Sequence, residues 1–304
     1  MSSRAFYMFL YRAFAVTALV AATLAPGGPA RASLITQQLV IGTEGAFPPL
    51  NFMRNGKPAG FEVELMEDLC HRMGVQCAFV AHSFEGLIPA LKMGKFDAVI
   101  AHISATPERA RSIAFSRPYL DDGVSFATLV DSSLLSLPGD GKAISLSDEA
   151  HANHDIDTLR PLLKGRVVGV QVSTVDAALL NRYFGNDVTV REYSTVDQHD
   201  LDLFAGRIDA VLASVPYLLD TLKRADSQSM RLVGPRFKGG VLGQGAAIGL
   251  RREDSVLRAR IDQALTEAIA DGSLRALSIK WLGLDMVPAA STPGVEQAEA
   301  EEGV

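Results

Sequence analysis

The stretch Gly94-Lys-Phe-Asp-Ala-Val-Ile-Ala101 occurs again, nearly unchanged, as Gly206-Arg-Ile-Asp-Ala-Val-Leu-Ala213. Each copy follows a short segment with helix-like spacing of apolar residues, and each ends in an apolar run typical of a buried strand. A match of this length in the same context indicates two related units within one chain. Strands that alternate with helices predict α/β layers in both units.

Outward from the repeat, another short apolar strand precedes each copy, Val40-Ile41-Gly42 in the first unit and Val167-Val168-Gly169 in the second. The apolar spacing predicts helices over 61–73, 87–93, 175–184, 255–270 and 274–281, and further strands over 77–81 and 246–250. The stretch 131–161 is rich in Ser, Asp, Gly and His, and it predicts an irregular insertion between the units.

The composition excludes two broad classes of protein. The chain has 304 residues, of which 48% are hydrophobic and 21% charged, and its formal net charge is -6. A mostly disordered chain has fewer apolar residues, and a nucleic-acid-binding domain is usually basic. We therefore expect a folded protein of one large domain or two lobes, with no nucleic-acid partner.

The first 32 residues have the pattern of a secretory signal peptide. Arg4 and Arg12 precede an apolar run over 13–25, and Ala30-Arg-Ala32 follows as a cleavage signal. The alternative is a membrane anchor, but the run is shorter than the ~20 residues that span a bilayer. We expect export with cleavage near Ala32. Residues 289–304 are rich in Pro, Gly and Glu without apolar periodicity, and predict a disordered acidic tail.

The two cysteines, Cys70 and Cys77, are separated by six residues. In an oxidising compartment such a pair is expected to form a disulfide, and the alternative is two buried free thiols. His151 and His154 form a close histidine pair, but they lie in a polar stretch that predicts a solvated loop. With no second ligand pair at a suitable spacing, we expect no metal and no cofactor.

Residues suited to binding a small anion follow a strand in each unit. In the first unit, Thr106 is a good N-cap, and Arg109 is a planar donor that suits a carboxylate. The alternative is a surface arginine paired with an acid on its own helix. In the second unit, Gln171, Ser173 and Thr174 follow the strand, and either hydroxyl would cap the next helix. There the alternative is capping alone, without a ligand.

One acidic residue is placed where it could hold a cation. Glu44 lies at the C-terminal end of the first strand, the edge at which open α/β sheets bind ligands. Phe47 and Phe84 would offer aromatic faces to the same cation. The alternative is a turn carboxylate beside two core phenylalanines.

These residues belong to an ordered set of motifs that covers most of the chain. The set comprises Ile41-Gly-Thr-Glu-Gly-Ala-Phe-Pro-Pro-Leu50, Gly60-Phe-Glu-Val-Glu-Leu65, Phe84-Glu-Gly-Leu-Ile-Pro-Ala-Leu91, Phe96-Asp-Ala-Val-Ile100, Ser104-x-Thr-Pro-Glu-Arg109, Phe115-Ser-Arg-Pro-Tyr119, Gln171-x-Ser-Thr174, Gly206-Arg-Ile-Asp-Ala210 and Gly249-Leu-Arg-Arg-Glu-Asp254. In this the chain resembles the extracytoplasmic solute-binding proteins, family 3, of polar amino acid ABC transporters. Thr43-Glu-Gly45, the insertion before Pro161 and the segment 192–203 are most similar to the opine (nopaline/octopine) branch, beside the receptors for lysine, arginine, ornithine and histidine.

The resemblance implies a type II periplasmic-binding-protein fold, in which two α/β lobes are joined by two hinge crossings and close over the ligand. Lobe 1 would comprise residues 35–122 and 238–287, and lobe 2 residues 123–237. The spacing of Cys70 and Cys77 also matches the disulfide of the basic amino acid receptors.

The resemblance also implies a set of ligand contacts. The arginine matching Arg109 grips the ligand's α-carboxylate, and residues matching Ser104, Ser173 and Thr174 add hydrogen bonds. The acid matching Glu44 meets a cationic side chain, which aromatic rings at the positions of Phe47 and Phe84 enclose. The same site would include Ala101, His102, Gln171 and Ser214.

Three positions depart from the family pattern. Ser214 stands where these receptors usually have an acid for the α-ammonium group, and a substituted amine, as in an opine, needs that acid less. Val172 stands where glycine is usual, so its side chain would narrow the site. His102 replaces a small residue and would reach the ligand as a second anion partner.

The predicted function is that of a periplasmic, monomeric receptor. It would bind a polar, cationic amino acid or opine and deliver it to the membrane permease of an ABC transporter, without catalysis. One alternative is a cyclohexadienyl or arogenate dehydratase-like enzyme on the same fold, which needs a general acid that only Glu44 or His102 could supply. The other is a ligand-sensing module that docks on a membrane kinase.

Overall fold

The computed structural model describes residues 38–288. The predicted signal peptide, its cleavage site near Ala32 and the predicted tail over 289–304 lie outside these residues. Within the described range the α-helices are α1 (Phe61–Arg72), α2 (Phe84–Lys92), α3 (Pro107–Ala110), α4 (Glu149–Asp157), α5 (Arg160–Leu163), α6 (Val175–Phe184), α7 (Val196–Phe204), α8 (Val215–Thr221), α9 (Ser255–Ala270) and α10 (Ser273–Leu282).

The strands of the same range form three sheets. They are β1 (Gln38–Thr43), β2 (Ala46–Phe47), β3 (Asn51–Arg54), β4 (Lys57–Ala59), β5 (Gln76–Ala81), β6 (Ala98–Val99), β7 (Ala114–Phe115), β8 (Val124–Leu129), β9 (Ala143–Ser145), β10 (Val167–Gln171), β11 (Thr189–Tyr193), β12 (Ala210–Ser214), β13 (Met230–Lys238) and β14 (Gly249–Leu250). Short 3₁₀ helices cover Ser133–Ser136, Ala225–Ser227 and Gly240–Leu242.

The two large sheets share the topology that the sequence repeat predicts. The first has the strand order β5-β1-β6-β14-β7 and the second β11-β10-β12-β8-β13-β9. In each, the second strand of this order pairs in parallel with the strand on either side, β1 with β5 and β6, and β10 with β11 and β12. The repeated stretches supply β6 and β12, so they occupy equivalent places in two α/β layers. The predicted fold class is confirmed.

Two crossings connect the sheets, one between β7 and β8 and the other between β13 and β14. They lie side by side, since Lys238 Nζ forms an ion pair with Asp121 Oδ2 at 2.8 Å and Phe237 pairs with Val124. Gly123 has φ 76°, and a Cβ there would lie 2.6 Å from Phe237 O. The close approach of the two crossings therefore requires glycine at this position.

The predicted irregular insertion over 131–161 is wrong, because α4 and β9 form within it. β9 pairs in parallel with β13. Asp148 caps α4 by accepting a hydrogen bond from His151 N at 3.2 Å, while Ala152 and Ile156 bury one face of the helix. Polar composition concealed this narrow apolar face. His151 and His154 are exposed, as predicted, but on a helix rather than a loop.

Helix α1 packs on β5 and on α9 and α10, and thereby covers one face of the first sheet. A disulfide joins Cys70 in α1 to Cys77 in β5, which confirms the predicted pairing. No helix within residues 38–288 combines the length and apolar composition needed to cross a bilayer.

Candidate ligand-binding site

A cavity lies between the two large sheets, beside the crossings, and collects all but two of the predicted site residues. Its empty volume is about 720 Å³, including space open to solvent. The predicted residues that line it are Glu44, Phe47, Phe84, Ala101, His102, Ser104, Arg109, Gln171 and Thr174.

Glu44 and Gln171 meet across the cavity because they lie at the C-terminal ends of two equivalent strands, β1 and β10. Glu44 comes directly after β1 and Gln171 is the last residue of β10. Gln171 Nε2 donates to Glu44 Oε1 at 2.5 Å. Burial raises the pKa of Glu44 to about 7, although the hydrogen bond from Gln171 opposes the shift. The site thus holds a carboxylate that an incoming cation would stabilise.

Arg109 links the two halves of the cleft through backbone carbonyls. Thr106 caps α3 as predicted, accepting from Arg109 N at 3.2 Å. The guanidinium donates to Ser104 O at 3.1 Å and to Ser173 O at 2.9 Å. Its Cζ lies 5.9 Å from the centre of the Phe84 ring. Among the described residues no acid forms an ion pair with Arg109, so its charge is available to an anion.

His102 has a left-handed backbone conformation, with φ 51°. Its N–H donates to Glu62 Oε1 at 2.6 Å, and its Nε2 lies 3.2 Å from both carboxylate oxygens of Asp122. Burial lowers the pKa of His102, but Asp122 outweighs that effect and raises it to about 9. His102 is therefore a cation at neutral pH, and Asp122 already neutralises it.

Glu62 supports the floor of the cavity from a fully buried position in α1. Besides the His102 amide, it accepts hydrogen bonds from the Tyr119 hydroxyl and from Asn51 Nδ2. Burial raises the pKa of Glu62. The bond from the His102 amide holds the turn after β6 against α1, which positions His102 and Ala101 at the cleft.

An aromatic stack lines one wall of the cavity. The Phe47 ring lies 5.4 Å from His102 and 5.1 Å from Tyr217, between centroids, and both pairs are nearly parallel. Tyr217 donates to Asp200 Oδ2 at 2.5 Å, and His199 Nδ1 lies 3.0 Å from Asp200 Oδ1. The Phe47 ring therefore contacts one aromatic ring from each half of the molecule, His102 and Tyr217.

Ser173 and Ser214 are the predicted residues that do not line the cavity. Ser173 is exposed and contributes its carbonyl to Arg109, and its backbone is left-handed with φ 63°. Ser173 therefore adopts the left-handed conformation that favours glycine. Val172, which stands where the family usually has glycine, is the residue before it. Ser214 is 2% exposed, and its Oγ has no hydrogen-bond partner within residues 38–288. Both assignments to the ligand site stay predictions.

Sequence reasoning missed several charged and polar residues of the cavity lining. Those with ionisable side chains are Asp121, Asp122, Asp176, His199 and Lys238. The crossings contribute Asp121, Asp122 and Lys238, and the first turns of α6 and α7 contribute Asp176 and His199. Two signals in the sequence could have identified two of these residues. The predicted crossing near residues 122–123 indicates Asp122, and the predicted cap at Thr174 indicates Asp176.

The chemistry available in the cavity is that of recognition. Arg109 can bind a carboxylate in two-pronged geometry, Glu44 can bind a cation, and Phe47 and Phe84 offer aromatic faces. In the part of the chain that the structure describes, no three His, Cys, Asp or Glu side chains group as metal ligands. Two α/β halves, two crossings and a charged cleft between them define a two-lobed ligand-binding protein.

The comparisons with known proteins give the family. Residues 39–284 match the bacterial extracellular solute-binding proteins, family 3. The chain belongs to this family. It is thus an extracytoplasmic binding protein, not an enzyme, as the sequence motifs predict.

Relatives that resemble the chain include an octopine-binding and an L-arginine-binding protein. It is 38% identical over 272 residues to the octopine-binding periplasmic protein of Rhizobium meliloti, covering 83% of this chain and 92% of that protein. It is 31% identical over 281 residues to the L-arginine-binding protein of Pseudomonas aeruginosa, covering 91% and 96%.

Solved structures agree with these relatives. An ancestral arginine-binding protein bound to arginine superposes with a TM-score of 0.68 and 29% identity, covering 81% of this chain and 98% of that one. An ancestral precursor of cyclohexadienyl dehydratase shares the fold at 23% identity and a TM-score of 0.67. At that identity the likeness concerns the fold alone, and the dehydratase alternative is not favoured.

Proposed function

We propose that this protein captures a cationic amino acid or an opine in the cleft between its sheets. One observation carries the proposal: Arg109 and Glu44, of opposite charge, line the same cavity together with Phe47 and Phe84. A ligand with a carboxylate at one end and a guanidinium or ammonium group at the other is complementary to this arrangement. The octopine-binding and arginine-binding relatives support the same ligand class.

The ligand would pass from this receptor to the membrane permease of an ABC transporter. The working location is the periplasm, after cleavage of the signal peptide near Ala32, and the working form is a monomer. Lobe 1 comprises residues 35–122 and 238–287, lobe 2 comprises residues 123–237, and the pairing of Lys238 with Asp121 supports a hinge at these boundaries. Bound ligand bridges the lobes and favours the closed form.

Calorimetry on the mature protein tests the ligand class. Arginine, lysine, ornithine, histidine, octopine and nopaline are titrated separately, with glutamate as a ligand of the opposite side-chain charge. At least one of the cationic compounds is expected to bind and to raise the melting temperature by mass action, while glutamate does neither. Preferential binding of glutamate, or binding of none of the cationic compounds, would refute the proposal.

A further inference from the structure

Asp176 is an acid of the cavity lining that has no hydrogen-bond or ion-pair partner among residues 38–288. It lies in the first turn of α6, two residues after the cap Thr174, and is half-buried. Within residues 38–288 no side chain or backbone N–H forms a hydrogen bond or ion pair with its carboxylate. The other acids of the lining each have such a partner: Asp121 pairs with Lys238, Asp122 with His102, and Glu44 with Gln171.

The two cations nearest Asp176 are already engaged elsewhere. Arg109 donates to the carbonyls of Ser104 and Ser173, and His102 faces the carboxylate of Asp122. Both act on Asp176 through space, but burial and the charge of Asp122 outweigh them and raise the pKa of Asp176 to about 7. A partly buried carboxylate in this state gains free energy from any cation that enters the cavity.

Asp176 lies close to the place where a ligand carboxylate would bind. Arg109 donates to Ser173 O, and Ser173 is three residues before Asp176 at the same helix start. In an α-amino acid the nitrogen is attached to the carbon that carries the carboxylate. A carboxylate held by Arg109 therefore keeps its neighbouring nitrogen near Arg109, and Asp176 is an acid whose charge acts on Arg109. Ser214, in contrast, is neutral and lies outside the cavity lining.

We propose that Asp176 binds the protonated amine next to the ligand's carboxylate, a role that the neutral Ser214 cannot fill. This inference rests on the proposed function, because it assigns a role within the same cleft. It changes the expected ligand preference, since a protonated amine, primary or secondary, becomes a requirement rather than an option.

The test compares arginine with argininic acid, in which a hydroxyl replaces the amine. Wild-type protein is expected to bind arginine at least about thirtyfold more tightly than argininic acid. Asp176→Asn should weaken arginine binding by about the same factor and change argininic acid binding by less than about twofold. Asp176→Asn should also weaken the binding of octopine, whose secondary amine is protonated at neutral pH, by about the same factor as that of arginine.

Glu108→Gln serves as the matched control, because Glu108 is an exposed acid next to Arg109 that does not line the cavity. This variant should leave both affinities unchanged. Asp176→Glu retains the charge and should keep most of the preference for arginine over argininic acid. It also provides a second variant to measure if Asp176→Asn does not fold.

Three outcomes would overturn the inference. The first is an equal loss of arginine and argininic acid binding in Asp176→Asn. The second is that Asp176→Asn keeps wild-type affinity for every amine-containing ligand that the wild type binds. The third is that the wild type does not discriminate between arginine and argininic acid. If wild-type protein binds no carboxylated cation at all, the proposed function itself fails, and that result is visible before any variant is made.

Discussion

The Arg109 guanidinium forms hydrogen bonds to two backbone carbonyls from different halves of the molecule, Ser104 O and Ser173 O. Burial lowers the pKa of Arg109, whereas the charges of Asp176 and Glu108 raise it. The geometry of a planar fork matters as much as the charge, because a carboxylate accepts two parallel bonds from it.

Replacing Arg109 by Lys is therefore expected to weaken the binding of carboxylated ligands by about a hundredfold, since an ammonium group cannot make the two-pronged contact. Calorimetry gives the affinity, and the melting temperature of the free protein should change little. Arg111→Lys is the matched control, because Arg111 is an exposed arginine just after α3. Wild-type affinity in Arg109→Lys would contradict the carboxylate role.

Glu44 gives the site a dependence on pH. Its raised pKa means that the free protein binds a proton near neutrality, and a cationic ligand displaces that proton. Affinity for arginine should therefore rise with pH and level off above about pH 8. At pH 6 it should be at least about tenfold weaker, because each pH unit below the pKa costs a factor of ten.

The groups facing Glu44 determine how that test is designed. Glu62 and Asp197 raise its pKa, whereas Gln171 and His102 lower it, and His102 keeps its proton throughout this range. Asp176 has a pKa near the same value. Glu44→Gln should reduce the pH dependence of arginine binding, and the addition of Asp176→Asn should abolish it. An unchanged slope in the double variant would show that other groups titrate.

At the scale of elements, residues next to strand ends decide where the side chains of the site lie. Thr174 Oγ1 donates to Gln171 O at 2.6 Å and accepts from Ala177 N at 3.5 Å, and so joins the end of β10 to the start of α6. The cap was predictable from sequence, as was the start of α6 at Val175. The formation of α4 was not, because its apolar face has only two fully buried side chains, Ala152 and Ile156.

The disulfide belongs to the same scale, since it ties α1 to β5. Reduction, or the double substitution Cys70→Ser and Cys77→Ser, should lower the free energy of unfolding by about 2–3 kcal/mol for a loop of this length. Denaturant unfolding measures the loss. Arginine affinity should be unchanged, because neither cysteine lines the cavity. A reductant should not change the free energy of unfolding of the double Ser variant. If it lowers that free energy as much as it does in the wild type, the loss is not due to the disulfide.

At the scale of the whole molecule, the described structure is a closed cleft. Two hydrogen bonds span it, from Gln171 to Glu44 and from Arg109 to Ser173 O. We expect the halves to turn about the crossings, where Asp121 and Lys238 pair. Contacts that the protein makes with itself across the cleft compete with those it makes with ligand, so they affect the balance between open and closed forms.

Gln171→Ala should shift the free protein towards the open form. Spin labels on cysteines placed at Met93 and Leu201, which are exposed and lie on different halves, would report the distance between them. We expect longer distances in the free variant than in the free wild type, and shorter ones in both after ligand is added. Gln198→Ala, an exposed amide on the second half, is the control. Identical distributions in free Gln171→Ala and wild type would contradict the prediction.

Much of the fold could be predicted because its determinants are local. The paired stretches ending at Ala101 and Ala213 identified two parallel layers, and Thr106 and Thr174 marked helix starts, because apolar periodicity and capping act within a few residues. Most of the predicted site residues also line one cavity, since the C-terminal ends of parallel strands lie at one edge of a sheet.

The sequence by itself determined the two α/β layers, the caps, the cysteine pair and the charged residues at the strand ends. The tertiary structure, in contrast, decides which charged side chains of the cavity are paired, including several that sequence reasoning missed. It pairs His102 with Asp122, places Ser214 outside the cavity lining and leaves Asp176 without a hydrogen-bond or ion-pair partner among residues 38–288. The physical reason is that burial and charge pairing depend on residues far apart in the chain, and folding brings these together only after the local elements have formed.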